Sequence, residues 1–138
     1  MYTNTNMTIF NKNVQNGQVI YKPKLIDYVF WDSKESINGS RGNSDGADKS
    51  DEVIVYLPTT KNDISDYKEP KEYKKSFDGW TIEEGDFIVK GDISIKDDEP
   101  NIINGIKDLK DYEAFTINFV ENNDYGSKEM QHFKIKGN

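Results

Sequence analysis

The chain has 138 residues, enough for one domain with a modest core and too few for two comfortable ones. Apolar residues make up only 34%, yet eight Tyr, seven Phe and two Trp supply the aromatic bulk that disordered chains lack. Eighteen basic against twenty-five acidic residues leave a formal charge of −7, which argues against a clustered-cation surface for phosphate backbones, and the absence of Cys excludes disulfides and thiolate metal sites.

Residues 1–10 lack the basic start and long apolar stretch of a secretory signal, and no stretch approaches the roughly 18 apolar residues of a membrane span. The expectation is a protein made and used in an aqueous, cytoplasmic setting. Thr8-Ile9-Phe10 reads as a first strand or arm, and Asn11-Lys12-Asn13 as the turn after it. Val19–Tyr21 and Leu25–Trp31 are rich in β-branched and aromatic residues and read as two strands, with Pro23 marking a break or an edge. Residues 32–52 are dominated by Ser, Asn, Gly and Asp and read as an exposed loop.

Val53-Ile54-Val55-Tyr56-Leu57, ended by Pro58, has the length and content of a buried strand. Residues 58–85 show no sustained period around Phe77 and Trp80 and read as a second long loop, which fully extended runs out and back over about 40 Å. Trp31, which ends a strand, is expected to be buried, and Trp80 partly exposed or at an interface. Asp86–Lys90 between Gly85 and Gly91 is a short strand, with Ile93–Ile95 continuing it, and Ile102, Ile103, Ile106 and Leu109 fall at helical spacing. Ala114–Val120 alternates as a strand, Asn122–Gly126 forms a turn, and His132–Ile135 is the last strand. The sum is a mainly β chain, a small antiparallel barrel or sandwich with one short helix and two long loops, all in a single domain spanning residues 1–138.

Reactive chemistry finds little footing in this pattern. A single His, His132, leaves no material for most triads or histidine-rich metal sites. Glu83-Glu84 and Asp97-Asp98-Glu99 are adjacent carboxylates on solvated segments, without the contrasting environments that acid–base catalysis needs. Arg41–Glu52 approaches a calcium loop, but Arg41 stands where the leading carboxylate belongs. No glycine pattern forms a phosphate cradle, so neither an enzyme nor a cofactor is expected.

Two segments carry a resemblance: Gly85-Asp86-Phe87-Ile88-Val89-Lys90-Gly91, and Asp124-Tyr125-Gly126-Ser127-Lys128-Glu129-Met130-Gln131-His132-Phe133-Lys134-Ile135. Met7–Lys12, Val29-Phe30-Trp31 and Asp51–Pro58 extend it over most of the chain. Together they resemble the small head–tail connector proteins of siphophages of Gram-positive bacteria, the head-closure or stopper proteins and related minor capsid proteins, with Phe133 standing where the pattern has Trp. Read only as fold, Gly85-Asp86 and Gly91 are turn chemistry, Tyr125-Gly126-Ser127 is a hairpin turn, and His132-Phe133 packs one ring inward.

The resemblance implies a virion neck protein, made in the host cytoplasm, that forms a ring, implied to be a dodecamer. Its neighbours would be the portal or adaptor on one side and the tail terminator or tail tube on the other. Packaged DNA would make only passing contact, without sequence-specific binding, and no membrane is involved. It further implies a loop that projects into the channel, for which residues 58–85 qualify by length; Lys61, Asp63, Asp66, Tyr67, Lys68, Glu69, Lys71 and Glu72 are the candidate channel residues. Phe77, Trp80, Tyr125, His132 and Phe133 are the candidates for subunit contacts. Competing readings are a minor capsid or tail-completion protein and, from a different class, a carbohydrate- or ligand-binding β-sandwich.

Overall fold

A computed structural model describes residues 2–34 and 51–138 of the chain. Six strands close into an antiparallel barrel: β1 (Thr5–Gln15), β2 (Gln18–Lys34), β3 (Glu52–Pro58), β4 (Phe87–Lys90), β7 (Ala114–Asn123) and β8 (His132–Gly137), in the order β1-β2-β3-β8-β7-β4. The helix α1 (Pro70–Ser76) precedes β4, and a two-stranded hairpin of β5 (Ile95–Lys96) and β6 (Glu99–Pro100) follows it. The chain is thus mainly β and a barrel, not a sandwich. Most of residues 32–52, together with the calcium-like stretch from Arg41, lie outside the described residues.

The β1–β2 hairpin turns on Asn16 and Gly17, both at positive φ (53° and 76°), the conformation of a two-residue turn that suits strand twist. Asn11–Asn13, expected as the turn, instead lies within β1, and Asn11 and Asn13 point inward and are buried. β2 is one continuous strand of 17 residues, with Pro23 paired opposite Phe10. Two residues earlier, the Tyr21 N–H points away from β1 and bonds Ile103 O at 2.8 Å. Pro23 therefore lacks its donor on the side where no strand sits, which is why it is tolerated.

Two bulges set the barrel's shape. Thr5 pairs with Val29 but Met7 pairs with Ile26, so Asp27-Tyr28 holds one extra residue and both Ile26 and Val29 face inward. Asn118 is the extra residue of β7, between Ile117 and Phe119, and it returns Val120 to the interior. The interior is filled by side chains, among them Met7, Ile9, Trp31, Val55, Leu57, Ile88, Phe115, Phe133 and Ile135.

β1 and β4 are buried on both faces. Phe10, Phe87 and Val89 point out of the barrel into a second cluster with Ile103 and Leu109, supplied by residues 91–113 folded over this wall. That segment contains a single 3-10 turn at Ile106–Leu109, not the helix expected over Ile102–Leu109, because only Ile103 and Leu109 find the barrel while Ile102 and Ile106 stay exposed.

The other correction concerns residues 58–85, which do not form a free excursion. They pack over one end of the barrel and contain α1, whose Tyr73 is buried. Trp80 and Ile82 enter the main core, with Ile64 and Tyr67 against it. Trp80 is 2% exposed, contrary to the expectation of an exposed or interface position, and Trp31 is buried as expected. Backbone bonds Trp80 N to Asp66 O and Lys68 N to Trp80 O, with the Asn62 amide paired to both backbone groups of Tyr28, tie the segment down.

Candidate functional site

The walls of the barrel differ in what covers them. β1 and β4 lie under residues 91–113, whereas the outer face of β3, β8, β7 and the second half of β2 carries no covering segment among the described residues. Alternation decides what stands there. Val29 and Trp31 point inward, so Phe30 points out; Val55 and Leu57 send Tyr56 out; Phe133 and Ile135 send His132 and Lys134 out. Register then lines them up, with Phe30 opposite Tyr56 and Tyr56 opposite Lys134.

The result is an aromatic row. Tyr2 meets Phe30 at 5.7 Å between ring centroids, Phe30 meets Tyr56 at 6.1 Å, and Tyr56 meets His132 edge-on at 5.4 Å. These four residues line a shallow groove of about 350 Å³. His132 is held by Met130 O at 2.8 Å from Nδ1 and by Asn123 Nδ2 at 3.0 Å from Nε2, so a proton on Nδ1 satisfies both contacts and the ring cannot swing freely. Beside the row, Lys134 Nζ lies 5.9 Å from the Tyr56 ring centre and Lys136 Nζ lies 5.1 Å from that of Phe119. The face thus combines exposed aromatic area with two lysines held against rings.

A second concavity, of about 360 Å³, lies between β1 and the end of α1, lined by Lys12, Tyr21, Lys74, Phe77, Glu83 and Asp86 among others. Asp86 is buried, and burial pushes its carboxyl up to about 6. Its oxygens are occupied: Asn11 Nδ2 donates to one at 3.0 Å and the Lys12 N–H to the other at 3.3 Å. Lys74 is likewise engaged, with Glu83 at 2.6 Å, which raises its pKa. Both carboxylates anchor the turn into β4. Among the described residues no three His, Asp or Glu side chains gather as a metal site, and no helix is long and apolar enough to cross a membrane.

The residues singled out in the sequence are thus dispersed. His132 belongs to the aromatic row, but Phe133 points into the core at 3% exposure and Trp80 is core as well, so neither is available for contacts from the folded protomer. Phe77 is half-buried, capping α1 in a left-handed conformation with its ring edge-on to Tyr73. Tyr125 is exposed at the tip of the β7–β8 connection. Lys61, Asp63, Asp66, Glu69, Lys71 and Glu72 are exposed on the outside of the end-capping segment, while Tyr67 and Lys68 are half-buried in it. Burial also pushes the Tyr67 and Tyr73 hydroxyls up to about 12. Phe30, Tyr56 and Lys134 escaped the sequence reading, although each is a large residue at the outward position of a strand with apolar neighbours on both sides.

No curated protein and no solved structure matches this chain. Residues 2–138 match the family of unknown function DUF6751, and the chain belongs to that family.

Proposed function

We propose that this protein is a structural, non-enzymatic component of a phage virion neck, assembling as a ring between the portal complex and the tail. The observation that carries the reading is the uncovered outer wall with its aromatic row, on a barrel whose interior is filled by its own side chains. A body of this kind acts through its outside. Closure pairs the strands around the barrel, so on the β3–β8–β7 wall neighbours meet side-chain faces and not backbone.

The segments that resemble the connectors are framework here: Gly85–Gly91 forms β4 and its flanking turns, and Asp124–Ile135 joins β7 to β8. The charge of −7, repeated around a ring, gives an acidic assembly whose like charge lets DNA pass without adhering. Because residues 58–85 fold back in the protomer, Lys61 to Glu72 serve in this reading as an outer surface at the barrel end.

Electron microscopy of the particle, with the protein marked by an antibody or a fused tag, tests the proposal. Density as a ring on the axis between portal and tail is the expected result. Density on the capsid shell instead favours the minor-capsid reading and overturns the neck assignment. The aromatic row also has the make-up of a sugar-stacking platform, so specific retention of the protein by a glycan array, together with its absence from particles, overturns both.

A further inference from the structure

The β1–β2 hairpin outruns the strand beside it. β4 pairs with β1 only from Met7 to Phe10; ahead of β4 the backbone turns to β7, where the Gly85 N–H bonds Ile117 O and the Ile117 N–H bonds Asp86 O. The Asp86 carboxylate alone follows β1 one rung further, taking the Lys12 N–H at 3.3 Å. Beyond that rung β1 is an open edge. Tyr21 directs its N–H and C=O away from β1, to Ile103, and Val19 shares its parity, so Val14 opposite Val19 directs its own two groups away from β2. Neither of them, nor Lys12 O, meets a hydrogen-bond partner among the described residues. Lys12, Val14 and Gln15 are exposed, and the concavity of about 360 Å³ lined by Lys12, Val14 and Phe77 lies beside them.

We propose that two copies of this chain pair edge to edge about a two-fold axis at Val14, β1 against β1, joining the hairpins into a four-stranded antiparallel sheet. A residue on the axis of an antiparallel pair exchanges both its bonds with its own mate, and Val14 has both to give. Val14 and Val19, 42 and 40% exposed, stand side by side on the outer face of the hairpin. The pairing sets Val19, Val14, Val14 and Val19 in a row across four strands, so each Val14 gains an apolar neighbour on its open side. Charge does not select the occupant: Lys12 and Lys74 stand with Glu83, Glu84 and Asp86 in the concavity, and Lys74 and Asp86 are already engaged. Nor does it oppose the pair, because the register separates the two Lys12 by about 13 Å along the strand, beyond a Debye length at physiological salt. Pairing β1 with the β2 edge of the next copy has less to offer, since Tyr21 is bonded in both directions to Ile103 and Val19 is left alone. The two-fold pair uses the end of β2 remote from Phe30, leaves the aromatic wall open, and does not rest on the function proposed above.

The contact is small, so the full chain is expected to sediment as a dimer only at about 0.1–1 mM. The chain has no Cys, and Cα atoms opposite each other in such a rung stand about 5.5 Å apart, within the span of a disulfide. Val14→Cys is expected to form a covalent dimer under mild oxidation about tenfold faster than Tyr125→Cys, although Tyr125 is the more exposed position. Val14→Lys keeps the backbone and sets like charges across the axis; it is expected to melt like the parent and to remain monomeric. Four results overturn the two-fold pairing: equal oxidation rates for the two thiols; a parent that sediments as a monomer throughout, which leaves the edge to a strand of another protein; Val14→Lys associating like the parent; or a ladder from Val14→Cys/Val19→Cys where Val14→Cys alone gives no dimer.

Discussion

The Asn11 side chain is hydrogen-bonded to both backbone groups of Thr81: Nδ2 donates to the carbonyl at 2.8 Å and Oδ1 accepts from the N–H at 3.1 Å. An amide side chain here takes the place of a neighbouring strand, giving residue 81 the pair of bonds that no β-ladder supplies. Asn4 does the same for Trp31, and Asn62 for Tyr28. Asn11→Ala leaves two buried backbone groups unpaired and is expected to cost about 2–4 kcal/mol. Asn11→Asp costs more, since it turns a carboxylate toward Asp86 and the Thr81 carbonyl. Denaturant unfolding at constant slope checks both, and a loss below about 1 kcal/mol refutes the bridging role.

Asp86 gives the fold a pH dependence of a definite sign. Its carboxyl titrates at about 6 in the folded chain against 3.8 when exposed. Between those values the folded chain holds the proton and the unfolded chain does not, so this group's contribution to stability falls as pH rises from about 4 to about 6 and is constant above. The gap corresponds to about 3 kcal/mol. Asp86→Asn has no such titration, so the stability of the parent minus that of the variant should shrink across that window. Thermal melts of the two at pH 4, 5, 6 and 7 measure it, and a difference independent of pH counts against it.

The two tryptophans separate area from hydrogen bonding. Trp80 Nε1 is buried without a partner, so Trp80→Phe gives up little beyond volume, about 1–2 kcal/mol, whereas Trp80→Ala opens the barrel end and costs about 3–5. Trp31 Nε1 donates to Glu113 Oε2 at 2.6 Å, joining β2 to the end of the covering segment. Trp31→Phe loses that charged bond in addition to volume and should cost more than Trp80→Phe. The reverse order in urea titrations would show that the bond contributes nothing.

Gly79 and Gly85 both lie at positive φ, 81° and 97°, but only one is crowded. A Cβ at Gly79 would fall 2.3 Å from the Asp66 carbonyl oxygen, the acceptor of the Trp80 N–H, while at Gly85 it meets open space. Gly85→Ala is expected to cost about 1–2 kcal/mol for its backbone conformation. Gly79→Ala adds a clash with main chain, so its melting temperature should drop several degrees further.

Excising residues 61–72 is the sharpest check on how residues 58–85 are held. The deletion takes Ile64 and Tyr67 from the core and Asn62 from Tyr28. A lower and broader melt is expected, where a free loop would leave the transition untouched.

What the sequence revealed follows from how local each cause is. β3, β4, β7 and β8 are visible as apolar runs or alternation between turn residues, and these carry half of the barrel. The Asn16-Gly17 hairpin signal is equally local, but Asn11–Asn13 competes with it, and nothing nearby in sequence shows that Thr81 and Asp86 will satisfy Asn11 within a strand. α1 has one buried residue, Tyr73, and so no period to detect. Trp80 became core through contacts with distant strands. The aromatic row is half legible: parity sends Phe30, Tyr56 and Lys134 outward, but their adjacency requires the register of three strands.

β2 runs unbroken from Gln18 to Lys34, lying beside β1 for most of its length and beside β3 only past the Asp27-Tyr28 bulge. It acts as a beam shared by two walls. A force applied at Phe30 would be carried through the same backbone to Tyr21, which is bonded to Ile103 of the covering segment, without the strands sliding. The barrel is thus stiff along its strands, and its compliance lies in the connections between them.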